Sequence, residues 1–312
     1  MYSSALLIIG ACAFVLLIAT RVSHFAGSSL ALSVMPDTRL LAKWAMVVLA
    51  CAMVARLLAQ SRMVSEGESF MIRPLLATTL WGWGWLVGAA GTVLIAVSVI
   101  FGRGHRAAWR ATAFGTIVLA LSFSLTGHAT TAAKPVLYVM LDCIHVMAAG
   151  GWLGTLLVVA AVGLRTVLAL PIEHRGHAAS ELINAFSTFA LFCAATLVIT
   201  GFVAAWSHLP SVSALWQTSY GQALFRKLVV IALTALVGAF NWRVIRPRLS
   251  DPAVIPMLRK SAAAELTIGL AVVILTAILV GTSPPDAEDS MPTMGSRVVP
   301  VVVSPTIFQT AS

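Results

Sequence analysis

The chain has 312 residues, of which 59% are hydrophobic and only 10% charged, with a mean hydropathy of +0.95 and a net charge of +9. An ordinary soluble domain is about a quarter charged, so a soluble globule is excluded. Solid apolar runs recur at about the 20 residues a helix needs to cross hydrocarbon, without period-two alternation. They predict an all-α fold, a polytopic integral membrane helical bundle of about eight transmembrane helices.

The first span is expected over 4–20. No basic residue precedes it and no small-residue cleavage pattern follows, so it is a retained span and not a signal peptide. Met35-Pro36-Asp37 is the turn before a second span at 40–60. The third, at 80–101, ends in Gly102-Arg103-Gly104, and the fourth, at 108–127, runs into Thr126-Gly127-His128-Ala129. Lys134-Pro135 opens the fifth, at 136–164, and Pro171 separates it from the sixth, at 181–206. Leu209-Pro210-Ser211 precedes the seventh, at 221–243, and Pro252 the eighth, at 261–281. Residues 1–281 therefore form one membrane domain. Residues 282–312 are polar and Pro-rich, a disordered tail whose Asp286, Glu288, Asp289, Met291 and Met294 are expected to be solvated.

Basic residues cluster beside alternate loops. Arg21, Arg39 and Lys43 flank the first, and Arg103, Arg106 and Arg110 the third. Arg165 and Arg175 flank the fifth, and Arg243, Arg246, Arg248, Arg259 and Lys260 the seventh. Thirteen of the twenty Lys and Arg residues thus fall on one side. That asymmetry makes the odd loops cytoplasmic and places both termini in the periplasm of a bacterial inner membrane. It also accounts for the net charge without nucleic acid.

Cys12, Cys51, Cys143 and Cys193 all lie within spans and none has CxxC spacing, which excludes a zinc knuckle or a thioredoxin-like site. Among seven histidines, His24, His105, His174 and His177 fall near cytoplasmic loops, and His128 and His208 end spans on the outer side. His145 alone lies well inside a span. An ionisable side chain at that depth is costly and faces the bundle interior or a polar cavity.

Around His145 the fifth span runs Met140-Leu141-Asp142-Cys143-Ile144-His145-Val146-Met147 and then Ala148-Ala149-Gly150-Gly151-Trp152-Leu153-Gly154. At 100° per residue, Asp142, His145, Ala149 and Trp152 share one face. Asp142 and His145 are three apart, so the carboxylate can fix the imidazole tautomer. Gly150 and Gly154 form a G-x-x-x-G pair suited to close helix approach. Met140, Cys143 and Met147 share the glycine face. Neutral imidazole and thioether are ligands that copper accepts, with sulfur favouring Cu(I). Met at helical spacing is also the ordinary filler of a core.

Residues 137–249 resemble the CopD family of bacterial copper-resistance and copper-uptake membrane proteins. The resemblance rests on His145-Val146-Met147-Ala148-Ala149-Gly150-Gly151-Trp152-Leu153-Gly154, on Phe186-Ser187 followed by Ile199-Thr200-Gly201, and on Thr218-Ser219-Tyr220-Gly221, Lys227, Asn241 and Pro247. Thr126-Gly127-His128-Ala129 is similar to a Gly-His-Ala element of that family. Thr155 departs from it, standing where many members have a second glycine, which weakens the argument for the helix contact but touches no candidate ligand. The resemblance implies copper moving from periplasm to cytoplasm. It also implies a separate periplasmic CopC-like partner, since the outer loops are short and the tail is only about thirty residues. No G-x-x-x-x-G-K-[ST] motif is present, so ATP-driven pumping is not expected, and neither is an enzyme.

Two stations along the path are expected. His128 is the outer capture ligand, and His145, oriented by Asp142, is the deep one. Met140 and Met147 are the candidate sulfur ligands between and beyond them, and Lys227 can point inward to pair with Asp142. Two readings rival copper transport. One is a haem-binding electron-transfer protein with axial histidines from facing helices. The other is a copper sensor or assembly subunit that transports nothing.

Overall fold

The structure, a computed structural model, describes residues 1–22, 30–65, 72–102, 105–127, 135–208, 213–248 and 255–280. His128 and the tail after 281 lie outside these. The described residues form an all-α bundle of ten helices. They are α1 (Tyr2–Arg21), α2 (Leu30–Val64), the short α3 (Ile72–Thr78), α4 (Leu80–Phe101) and α5 (Arg106–Leu125). After them come α6 (Pro135–Leu168), α7 (Ile172–His208) and the single turn α8 (Ala214–Gln217). Then follow α9 (Ser219–Phe240, continuing through Asn241–Ile245 and Arg246–Arg248) and α10 (Ile255–Val280). Among the described residues seven helices, namely α1, α2, α4, α5, α6, α7 and α9, are long and apolar enough to cross a membrane. The 26-residue α10 occupies the place expected for an eighth span, with Arg259, Lys260 and Glu265 in its first half.

The bundle is built around α1. This helix has no charged side chain before Arg21, and 72% of its apolar stretch is buried, against 11% for α7. It packs against α2, α5 and α6. Its contact with α6 is backbone on backbone. A Cβ on Gly10 would lie 2.0 Å from the Gly154 carbonyl carbon, and one on Gly154 only 1.9 Å from the Leu6 carbonyl oxygen. Gly150 faces Ile9 across the same seam. Small residues allow this approach, and in lipid close packing takes the place of the hydrophobic drive between helices. Thr155 takes part in the seam despite its departure from the family pattern. It is fully buried and its hydroxyl donates to the Gly10 carbonyl at 3.4 Å. A second close pair, α4 and α5, is joined by the tight connection at Gly102, with Gly91 and Gly115 each against the other's carbonyl oxygen.

Two helices extend past their expected starts. α2 begins at Leu30, so Pro36 lies inside it and not in a turn before it. α7 begins at Ile172, nine residues before the predicted start, and takes Glu173, His174, Arg175 and His177 into the helix. A helix may leave the hydrocarbon and carry polar residues onward, so hydropathy marks the apolar stretch and not the helix end. Arg39, on the extension of α2, donates to the carbonyls of Val99 at 2.7 Å and Ile100 at 2.5 Å. It caps the C-terminus of α4, where unpaired carbonyls and the negative end of the helix dipole favour a cation.

α6 is not a uniform α-helix. Gly150–Gly154 and Val159–Gly163 are π turns, the first beginning five residues after His145. Each wide turn shifts the phase of every side chain beyond it, and such turns recur at functional sites. Gly150 and Gly154 face α1, whereas Gly151, about 100° round the helix from Gly150, packs against Cys193 and Phe189 of α7.

Candidate metal-handling site

His145 points from α6 to α7. Its Nδ1 lies 2.8 Å from the Thr200 hydroxyl oxygen, and its Cε1 is 3.8 Å from where a Cβ on Gly201 would sit. The Thr200 hydroxyl is in turn 2.8 Å from the Thr196 carbonyl, one turn back in α7. A hydroxyl has a single proton to donate. With that proton on the Thr196 carbonyl, Thr200 presents a lone pair to the ring, so Nδ1 carries the imidazole proton. We assign the tautomer from this network. Nε2 is then left with its lone pair, the form in which imidazole binds metals.

The carboxylate three residues earlier does a different job from the one expected of it. Asp142 takes a hydrogen bond from Ser124 of α5, whose hydroxyl also has the Ala120 carbonyl within 3.3 Å. In that assignment it is Thr200, and not Asp142, that holds the His145 ring. Thr200 stands in a family motif whose role is not visible in the sequence, because its partner lies 55 positions away. The signal that could have found it was a hydroxyl beside a glycine at the depth of His145 on the following span.

Lys227, half-buried on α9, acts electrostatically on both Asp142 and His145, while its neighbour Arg226 is exposed. Around Asp142 the same end of the bundle gathers further polar groups. Tyr2 of α1 interacts with Asp142 and stacks on Phe123 at 4.6 Å between ring centroids. Arg56 of α2 donates to the Thr126 hydroxyl at 3.0 Å and lies over the Trp81 ring at 5.5 Å. Six helices thus bring one imidazole, one carboxylate, two cations and several hydroxyls toward one end.

The sulfur atoms lie elsewhere. Met140 is 50% exposed and lines an open apolar groove with Pro135, Val136 and Leu137. Met147 packs against the hydrophobic core, and Cys143 is buried in it. Among the described residues no three His, Cys, Asp or Glu side chains converge to hold a metal ion.

Residues 180–279 match the family model for copper resistance protein D, CopD. A relative in Bacillus subtilis (strain 168), "Copper transport protein CutJ", is 30% identical over 224 residues, which is 69% of this chain and 39% of the relative. Both matches support a CopD family assignment. The chain spans about 39% of the length of that curated relative. No solved structure matches it. The CopD match covers most of α7, then α9 and nearly all of α10. It therefore includes Thr200 and Lys227, and His145 meets it from α6 across the helix interface.

The family elements acquire physical roles in the fold. Thr218 caps α9, its hydroxyl accepting from the Gly221 amide at 2.9 Å. Phe186 is buried in the core. Thr200 and Gly201 seat the His145 ring. Pro247 falls in the closing turn of α9.

Proposed function

We propose that this CopD-family chain carries copper across the bacterial inner membrane, from periplasm to cytoplasm, with copper as cargo. The observation that carries the reading is the His145–Thr200 hydrogen bond, which leaves Nε2 as a ligand about 15 Å along α6 from its start at Pro135. Burying an imidazole at that depth and fixing its proton on Nδ1 is costly unless the free nitrogen is used.

In this reading both termini are periplasmic, and the polar end of the bundle faces the periplasm. His128 captures the ion there, supplied by a CopC-like partner. Asp142 supplies the negative charge that draws a cation inward, and Lys227 balances that charge when the site is empty. His145 takes the ion next. Ligands that complete its shell come from the cargo's own water or carrier, or from a rearranged α6. The π turn after Ala149 is the place where that helix can shift. The driving force is an ion gradient or the removal of copper on arrival.

The test is uptake by vesicles containing the purified full chain and a Cu(I) chelator inside. Wild-type vesicles are expected to accumulate copper, and His145→Ala vesicles to match empty ones. Equal accumulation by both proteins would refute the assignment of His145. An optical spectrum of the same protein decides the haem alternative, since a Soret band would contradict the copper reading.

A further inference from the structure

A second polar cluster lies toward the other end of the molecule. Asn241 of α9 donates from Nδ2 to Oε1 of Glu265 at 2.5 Å, and Ser261 of α10 donates to Oδ1 of Asn241. Glu265 is only 8% exposed, ten residues into a 26-residue helix that is apolar from Leu266 onward. Asn241 opens a π turn, Asn241–Ile245, in an otherwise regular helix. On α9 it lies fourteen residues beyond Lys227, about 21 Å along the axis. The cluster is therefore separate from the His145 site.

The surroundings of Glu265 decide what it can bind. α10 packs against α9 and against the Thr155–Val158 turn of α6. That turn carries no titratable side chain. On α9, Arg246 donates to Asn184 of α7 at 2.6 Å, and Arg243 is exposed. On α10 itself, Arg259 and Lys260 are exposed. Among the described residues Asn241 is the one hydrogen-bond partner of Glu265, and no Lys or Arg forms an ion pair with it. A carboxylate with one neutral donor in hydrocarbon is costly unless a cation joins it. Copper is a poor match, because the donors are oxygens and an amide, and soft cations favour sulfur and imidazole. Hard metal cations are poor matches too, because they take six or more oxygens. A proton needs only one.

We propose that Glu265, held by Asn241, is a proton-binding site whose loading and unloading couple copper movement to the proton gradient; this rests on the transport reading above. Loading forms an O–H bond at Oε2 with a proton from one bulk phase and neutralises the carboxylate. Unloading breaks that bond and releases the proton to the other phase. No electron moves. Asn241 remains bonded to Oε1 in both states, and the π turn it opens gives α9 a place to respond to the change of charge.

The experiment uses the full chain in vesicles with an imposed pH gradient. The gradient is expected to change the wild-type copper rate several-fold. Glu265→Gln, which keeps the bond to Asn241, should lose that response while still exchanging copper between equal pools. An unchanged response in Glu265→Gln, or wild-type copper transport indifferent to the gradient, would overturn the proposal. Wild-type vesicles that move no copper at all contradict the transport reading. The proton site is then decided by infrared difference spectra across a pH step. Those spectra should contain a carboxyl stretch that Glu265→Gln removes, and its absence from the wild type overturns the site. Should Glu265→Gln fail to fold, Asn241→Ala supplies the second variant. It should move the pH at which the carboxyl stretch appears, and an unmoved transition overturns the role of Asn241.

Discussion

At His145 the chemistry turns on which ring nitrogen carries the proton. In the assigned tautomer Thr200 accepts from Nδ1, its own proton engaged by the Thr196 carbonyl. Partners that orient a ligating histidine are typically worth roughly 10–100-fold in metal affinity. Thr200→Val should therefore weaken Cu(I) binding by about that factor, and Thr200→Ser should not. Competition titration of the purified protein against a Cu(I) chelator measures both, and equal affinity in the Val and Ser variants would refute the tautomer assignment. His145 itself was legible in the sequence, because an ionisable group deep in an apolar span is rare. Thr200 was not, since a hydroxyl in a helix commonly bonds its own backbone and gives no sign of a partner on another helix. Glu265 carries the same kind of signal in the sequence as His145, a lone carboxylate before the apolar run that starts at Leu266.

The helices show what periodicity does and does not carry. The apolar stretches mark where α1, α2, α4, α5, α6, α7 and α9 cross, and the G-x-x-x-G pair of α6 marks its seam with α1. The early starts of α2 and α7 lie in polar residues, which hydropathy does not distinguish from loops. The wheel for α6 places Gly150 and Gly154 on the α1 seam, but it does not keep Met140 on the same face as the buried Cys143, since Met140 is half-exposed. The seam makes a direct prediction. A methyl on Gly154 would overlap the Leu6 carbonyl, so Gly154→Ala should destabilise the protein by about 1–3 kcal/mol, the usual cost of overpacking. Gly238 of α9 has nothing within 4 Å of the equivalent position. Gly238→Ala should therefore be neutral or slightly stabilising, since Ala is the better helix former by about 1 kcal/mol. Thermal unfolding in detergent compares the two, and equal midpoints would contradict the seam.

Across the whole molecule the charge asymmetry and the polar groups point the same way. In the proposed topology Arg39, Arg246 and Arg259 lie on the cytoplasmic side, opposite the end that holds Tyr2, Arg56 and Asp142. Reporter fusions at residue 250 and at the C-terminus should therefore report opposite compartments, with 250 inside. Matching compartments would reverse the expected order of the two polar clusters along the path. The central claim is that copper passes His145, and copper accumulation by expressing cells tests it most directly. Cells carrying His145→Ala should accumulate no more copper than cells lacking the protein, at every external concentration. Cells carrying His128→Ala should fall behind the wild type mainly at low copper, where capture limits. Wild-type accumulation in the His145→Ala cells would contradict the account.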